Sequence, residues 1–239
     1  SDYVVSSYTP TLGALTNARR TYKPVVRENL KALVGAVPRP YVEDLCDLPS
    51  TLEEMKTVTQ AVPSSGLLSL PNGENALEVE GSGGLSAQAL LDRLPQATIL
   101  HLACHGTQDA EHPLRSGFVM RDETLTIERL MPVLLPEAFL ASLSACETAK
   151  GYKAQPDQAI HLAAMMLYAG FKSVIGTLWS MEDADGPMVA EMVYKELFRG
   201  DSEILDPDNV PHALDAAVRH LRSVQPEPSR WAPYVHFGM

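Results

Sequence analysis

Basic residues are in short supply: 19 Lys and Arg stand against 30 Asp and Glu, for a formal net charge of −11. That surplus repels a phosphate backbone and an anionic membrane surface, so no nucleic-acid partner is expected. Long apolar runs are also missing. None approaches the roughly 20 residues that a bilayer core requires. The opening Ser1-Asp2-Tyr3-Val4-Val5 has neither the basic start nor the apolar stretch of a secretory signal. The chain is therefore expected to be soluble and cytoplasmic, with no membrane partner. Cysteine is scarce: Cys46, Cys104 and Cys146 are an odd number with no CxxC spacing. This argues against a disulfide framework or a Cys-rich metal site and points to a reducing compartment with at least one free thiol. An initiator Met is absent too, which reads as a segment cut from a longer chain.

What is present is an ordinary globular composition, 45 % hydrophobic and 21 % charged, so disorder as the main state is excluded. The 239 residues allow one large α/β domain or two small ones. Asp2–Tyr8 is β-rich, and Thr9-Pro10-Thr11 is placed to open a helix through Leu12, Leu15 and Arg19. The run 32–37 (ALVGAV) predicts a strand buried on both faces. Ser50 with Glu53 forms a capping-box pattern for a helix towards Ala61. Residues 63–84 are rich in Gly, Pro, Ser and Asn and read as a loop carrying one short strand.

Ser86 then caps a helix that stops at Pro95. Residues 97–104 (ATILHLAC) form a buried strand that runs into His105-Gly106. A hairpin is expected over 117–120 and 124–127. Another buried strand over 138–143 leads into Ser144-Ala145-Cys146. A helix over 158–169 stops at Gly170, a strand covers 172–179, and helices follow over 183–198 and 212–224. Strands alternating with helices predict a mostly parallel sheet with helices on both faces. No repeat, low-complexity tract or internal domain boundary is visible.

In an open parallel sheet the ligand crevice lies beyond the carboxyl ends of the strands. Two predicted strands end in chemistry, one in His105-Gly106 and the other in Cys146. If they are neighbours, imidazole and thiol emerge at one edge. A nearby imidazole raises the thiolate fraction of a thiol that is otherwise mostly protonated, giving a nucleophile with its base. A turn at Gly106 would need positive φ, and its N–H with that of Cys146 would form an oxyanion hole. Taken by itself, a buried Cys is more often a small hydrophobe.

The strings His101-Leu102-Ala103-Cys104-His105-Gly106, Leu143-Ser144-Ala145-Cys146-Glu147-Thr148-Ala149, and 161–170 running through Phe171 to Val174-Ile175-Gly176-Thr177-Leu178-Trp179-Ser180 resemble the CHAT domain. This is a caspase-like, separase-related family. The resemblance covers essentially the whole chain, most strongly from Leu85 to Phe198. It implies one three-layer caspase-like α/β domain over residues 1–239, the C-terminal part of a longer protein with an upstream helical-repeat or nucleotide-binding sensor. It also implies a cysteine endopeptidase acting on protein or peptide substrates, with His105 and Cys146 as the dyad, Gly106 and Cys146 as oxyanion donors, and no cofactor or metal.

Separases carry acidic residues in the loop after the strand that ends in Leu-Trp. By that likeness Asp183 and Asp185, with Trp179, become candidates for an S1 pocket preferring Arg or Lys. Helix capping by Asp183 is the competing role. Other residues read as structural. His101 is expected in the core, and Cys104 on the face opposite His105. Glu147 is expected to point away from the nucleophile, because a neighbouring anion would raise the thiol pKa. Two alternatives remain beside the peptidase: a catalytically silent interaction or regulatory module, and a thiol redox sensor.

Overall fold

The computed structural model describes residues 4–69, 84–109, 111–147 and 159–239, with Cys146, Glu147 and residues 159–161 described through their backbone only. The chain opens with α1 (Leu12–Thr21), capped by Thr11, whose Oγ1 accepts from the Ala14 N–H at 3.0 Å. The short β1 (Val25–Val26) and the wholly buried β2 (Ala32–Ala36) follow, then α2 (Ser50–Ala61) and α3 (Ala87–Arg93). The central strand β3 (Ile99–Thr107) leads to β4 (Gly117–Val119), β5 (Thr124–Thr126) and the single-turn α4 (Ile127–Leu130). Next come β6 (Leu140–Glu147), α5 (Ala159–Ala169) and β7 (Ser173–Thr177). The chain ends with α6 (Gly186–Leu197), β8 (Ile204–Leu205), α7 (Asn209–Val224), α8 (Pro228–Trp231) and β9 (Tyr234–Gly238).

Seven strands form the main sheet in the order β5-β4-β3-β6-β7-β9, with β2 alongside β3. The β2–β3, β3–β6 and β6–β7 pairs are parallel; the β4–β5 hairpin and β9 add antiparallel edges. Burial on both faces explains the near-continuous apolar runs of β2 and β3. One core cluster joins Leu100, Leu102, Leu143 and Val174 to α3, α4 and α5. The other joins Ile99, Leu140 and Ile175 to α2, α6 and α7. The molecule is thus a mixed α/β three-layer structure. Among the described residues, no helix is long and apolar enough to cross a membrane.

Several expectations are corrected. Residues 4–8 form no strand; Tyr8 makes a single bridge to Phe237. Ser50 does not cap α2 but is its first residue, following Pro49, which makes no side-chain cap. The short strand sought within 63–84 reduces to a bridge between Leu67 and Ala32, and residues 70–83 lie outside the described residues. Asp183–Asp185 is a separate turn ahead of α6. Gly170 does end α5, with φ +133°, a conformation that favours glycine.

Candidate active site

Strands β3 and β6 run parallel in a register that sets His105 opposite Cys146 and Gly106 opposite Glu147. Both strands run further than the apolar pattern indicates. The chain does not turn at Gly106 as expected, because β4 pairs antiparallel with the last three residues of β3 and holds them extended. Adjacent strands lie about 4.8 Å apart, so the two backbones that bear the imidazole and the thiol are immediate neighbours. Beyond β3 the chain is folded back by Asp109, whose Oδ1 accepts from the Glu111 and His112 N–H groups. These bonds, that from His112 foremost, hold its carboxyl below the usual range.

His105 is 1 % exposed, and its Nε2 lies 2.7 Å from the backbone oxygen of Cys46. A carbonyl can only accept, so Nε2 carries a proton, and in the neutral imidazole the lone pair is therefore on Nδ1. Nδ1 has no hydrogen-bond partner among the described residues. Cys46 sits in the loop between β2 and α2 with its side chain exposed. Its carbonyl fixes the tautomer of the candidate base. No residue type announces such an acceptor, so the sequence offered no signal for it.

Beneath this strand edge lies Glu54 of α2, 3 % exposed. It accepts from Ser144 Oγ at 3.0 Å, and its Oε1 is 3.1 Å from His101 Nε2. One carboxylate therefore lies against both strands, hydrogen-bonded to the one carrying Cys146 and within ion-pair distance of the one carrying His105. Gly186 permits the approach, because a Cβ there would collide with the Glu54 carboxylate. His101 is a core residue as expected, and Tyr194 of α6 stands edge-on to it at 5.5 Å. Burial first, and the Glu54 charge second, push the Tyr194 pKa up. Glu54 escaped the sequence reading, yet a signal exists. Thr51, Glu54, Met55 and Val58 recur at i, i+3, i+4 and i+7, so the acid lies on the buried stripe of its helix.

The three S1 candidates have different surroundings. Asp185, 3 % exposed, accepts from Arg230 Nε and Nη2, both at 2.6 Å, so both of its oxygens are engaged. Asp183 accepts from the Ser50 N–H at 2.9 Å through Oδ2. It therefore caps α2, 133 residues earlier, rather than the helix that follows it. Trp179 is 42 % exposed beyond the end of β7. Cys104 is fully buried among the α3–α5 core cluster. On that same face a cavity of about 30 Å³, the size of a water molecule, is lined by Gly106, Ala145, Gly176 and Thr177. The described residues contain no group of three His, Cys, Asp or Glu side chains arranged to hold a metal ion.

The family model described as "CHAT domain" matches residues 1–239. Among solved structures, the chain is similar to gingipain R, described as an Arg-specific cysteine proteinase, with a TM-score of 0.55 at 11 % identity over 95 % of this chain. It is also similar to the complex of Porphyromonas gingivalis RgpB pro- and mature domains, with a TM-score of 0.53 at 10 % identity over 94 % of this chain. At such identity the likeness is one of fold, and this chain spans about half (51 %) of each gingipain chain. No curated protein sequence matches this chain.

Proposed function

This chain belongs to the CHAT domain family, and from that premise we propose that it is a cysteine endopeptidase working through His105 and Cys146 on protein or peptide substrates. One observation carries the reading. The β3–β6 register brings His105 and Cys146 side by side, and the Cys46 carbonyl leaves His105 Nδ1 as the free base. The caspase-like fold supports it.

In the proposed reaction the Cys146 S–H proton passes to His105 Nδ1, and the thiolate sulfur adds to the scissile carbonyl carbon. The N–H groups of Gly106 and Cys146 hold the developing oxyanion. The imidazolium returns its proton to the departing amine, leaving a thioester. Water, deprotonated by His105, then releases the acid product and restores the thiol. For a basic P1 residue we put forward Asp183 rather than Asp185, whose two oxygens Arg230 already occupies. Trp179, exposed beside that loop, is the proposed apolar wall. We read residues 1–239 as one domain of a longer cytoplasmic protein carrying an upstream sensor.

A second reading, a catalytically silent interaction module, is favoured by the burial of His105 at 1 % exposure. An irreversible peptidyl electrophile with Arg at P1 separates the two. The enzyme reading expects labelling of Cys146 that is lost in His105→Ala; a wild-type protein that never labels sinks it, as does cleavage that survives Cys146→Ala. Asp183→Asn keeps an acceptor oxygen for the Ser50 N–H, so a tenfold or greater fall in Arg-P1 cleavage at unchanged stability would assign Asp183 to S1.

A further inference from the structure

Lys172 immediately precedes β7, so its surroundings lie at the amino ends of the parallel strands, the opposite edge of the sheet from His105 and Cys146. There a groove of about 760 Å³ opens between α1 and the C-terminal half of α5. Its walls are mainly apolar, with Ala14 and Ala18 on one side and Leu135, Leu167 and Phe171 on the other. The size falls within the roughly 300–1,000 Å³ common for small-molecule sites. Two large apolar side chains of the lining, Leu134 and Tyr168, are 73 % and 70 % exposed. Helix α1 has 10 residues and buries none of them, so it covers the groove without inserting a side chain into the core.

Lys172 lines this groove with 9 % exposure. An ammonium has three N–H donors. One goes to Thr21 Oγ1 at 2.9 Å, and Thr21 in turn donates to the Asn17 carbonyl at 2.8 Å. Among the described residues the other two meet no acceptor, and no carboxylate lies within ion-pair reach. Burial is the only influence on the Lys172 pKa, and it pushes the value down. A second cation of the lining, Lys23, is already paired with Glu137 at 3.0 Å. In a chain of net charge −11, the groove thus joins apolar walls to one buried cation that has no counter-charge among the described residues.

We propose that this groove binds a linear aliphatic carboxylate of the fatty-acid class, with its carboxylate on Lys172 Nζ and its chain between α1 and α5. A single point cation suits a single anionic head, and the apolar walls suit an unbranched tail.

The test is calorimetric titration with dodecanoate below its aggregation concentration, with dodecyltrimethylammonium as a tail-matched cation. Saturable 1:1 binding of dodecanoate is expected, weakened at least tenfold in Lys172→Gln and in Ala18→Trp, with the cationic amphiphile not competing. Ala18→Trp fills the groove from an exposed helix, so it reports even if Lys172→Gln fails to fold. The proposal is overturned if the wild type shows no saturable binding, or if both amphiphiles bind equally. Loss in Ala18→Trp with full binding in a folded Lys172→Gln protein overturns it as well, since the groove would then be apolar without reading the head group.

Discussion

Glu54 holds His101 and Ser144 with one carboxylate inside the core between α2 and the sheet. Removing it takes the carboxylate from beside the buried His101 and the oxygen acceptor from the half-buried Ser144. Glu54→Ala is therefore expected to destabilise the protein by about 3 kcal/mol. Glu54→Gln, which keeps an acceptor for the Ser144 hydroxyl, should cost about 1 kcal/mol. Urea unfolding midpoints at constant m-value would check both figures. At this scale legibility was uneven. His105 and Cys146 stood out because nucleophile and base chemistry is written in residue type. The group that orients His105 did not, because it is a main-chain carbonyl at Cys46; nor did Glu54, whose neighbours His101 and Ser144 come from strands 47 and 90 residues further along.

Helix α2 illustrates how far an element depends on a remote contact. Its N-terminal Ser50 N–H has no intrahelical acceptor and is satisfied by Asp183, from the turn before α6. An acid at that end also complements the helix dipole. Asp183→Ala is expected to cost about 1 kcal/mol and to speed amide exchange in the first turn of α2 while leaving α7 unchanged. A hydrogen-exchange comparison of the two helices reads this directly; equal protection in α2 would contradict it. The local capping box Ser50/Glu53 misled because a cap is a geometric event. Pro49 is itself in a helical conformation, with φ −63° and ψ −30°, so Ser50 begins the helix instead of preceding it. Ser86, which is extended and accepts from the Ala89 N–H at 3.2 Å, behaves as its sequence indicates.

The two ends of the described chain meet at β9. Tyr8 exchanges backbone hydrogen bonds with His236 and Gly238, and Ser7 Oγ lies 2.8 Å from His236 Nδ1. His236 is 1 % exposed, and burial pushes its pKa down to about 4 from the usual 6.5. The folded protein thus refuses a proton that the unfolded chain accepts. Stability falls as pH drops from about 6.5 towards 4, by up to about 3 kcal/mol from this residue. In denaturation series between pH 7 and pH 4.5, His236→Asn should lose that part of the slope; an unchanged slope would place the acid sensitivity elsewhere. Because β9 is a sheet edge that also ties down residues 7 and 8, acid is expected to loosen this closure.

By itself, the sequence determined the α/β class, the buried strands over Ala32–Ala36 and Ile99–Ala103, the stop at Gly170, and that one strand ends in His105 and another in Cys146. Each follows from periodicity, steric limits or side-chain chemistry acting within a few residues. The tertiary structure alone decided the extension of β3 through Gly106, the antiparallel β9 edge, the Asp183 cap on α2, the Asp185–Arg230 ion pair and the contact of Lys172 with Thr21. All of these are long-range pairings, whose partners lie from about ten to more than a hundred residues apart. Whether such groups meet depends on how strands and helices pack, and a local pattern carries no record of that.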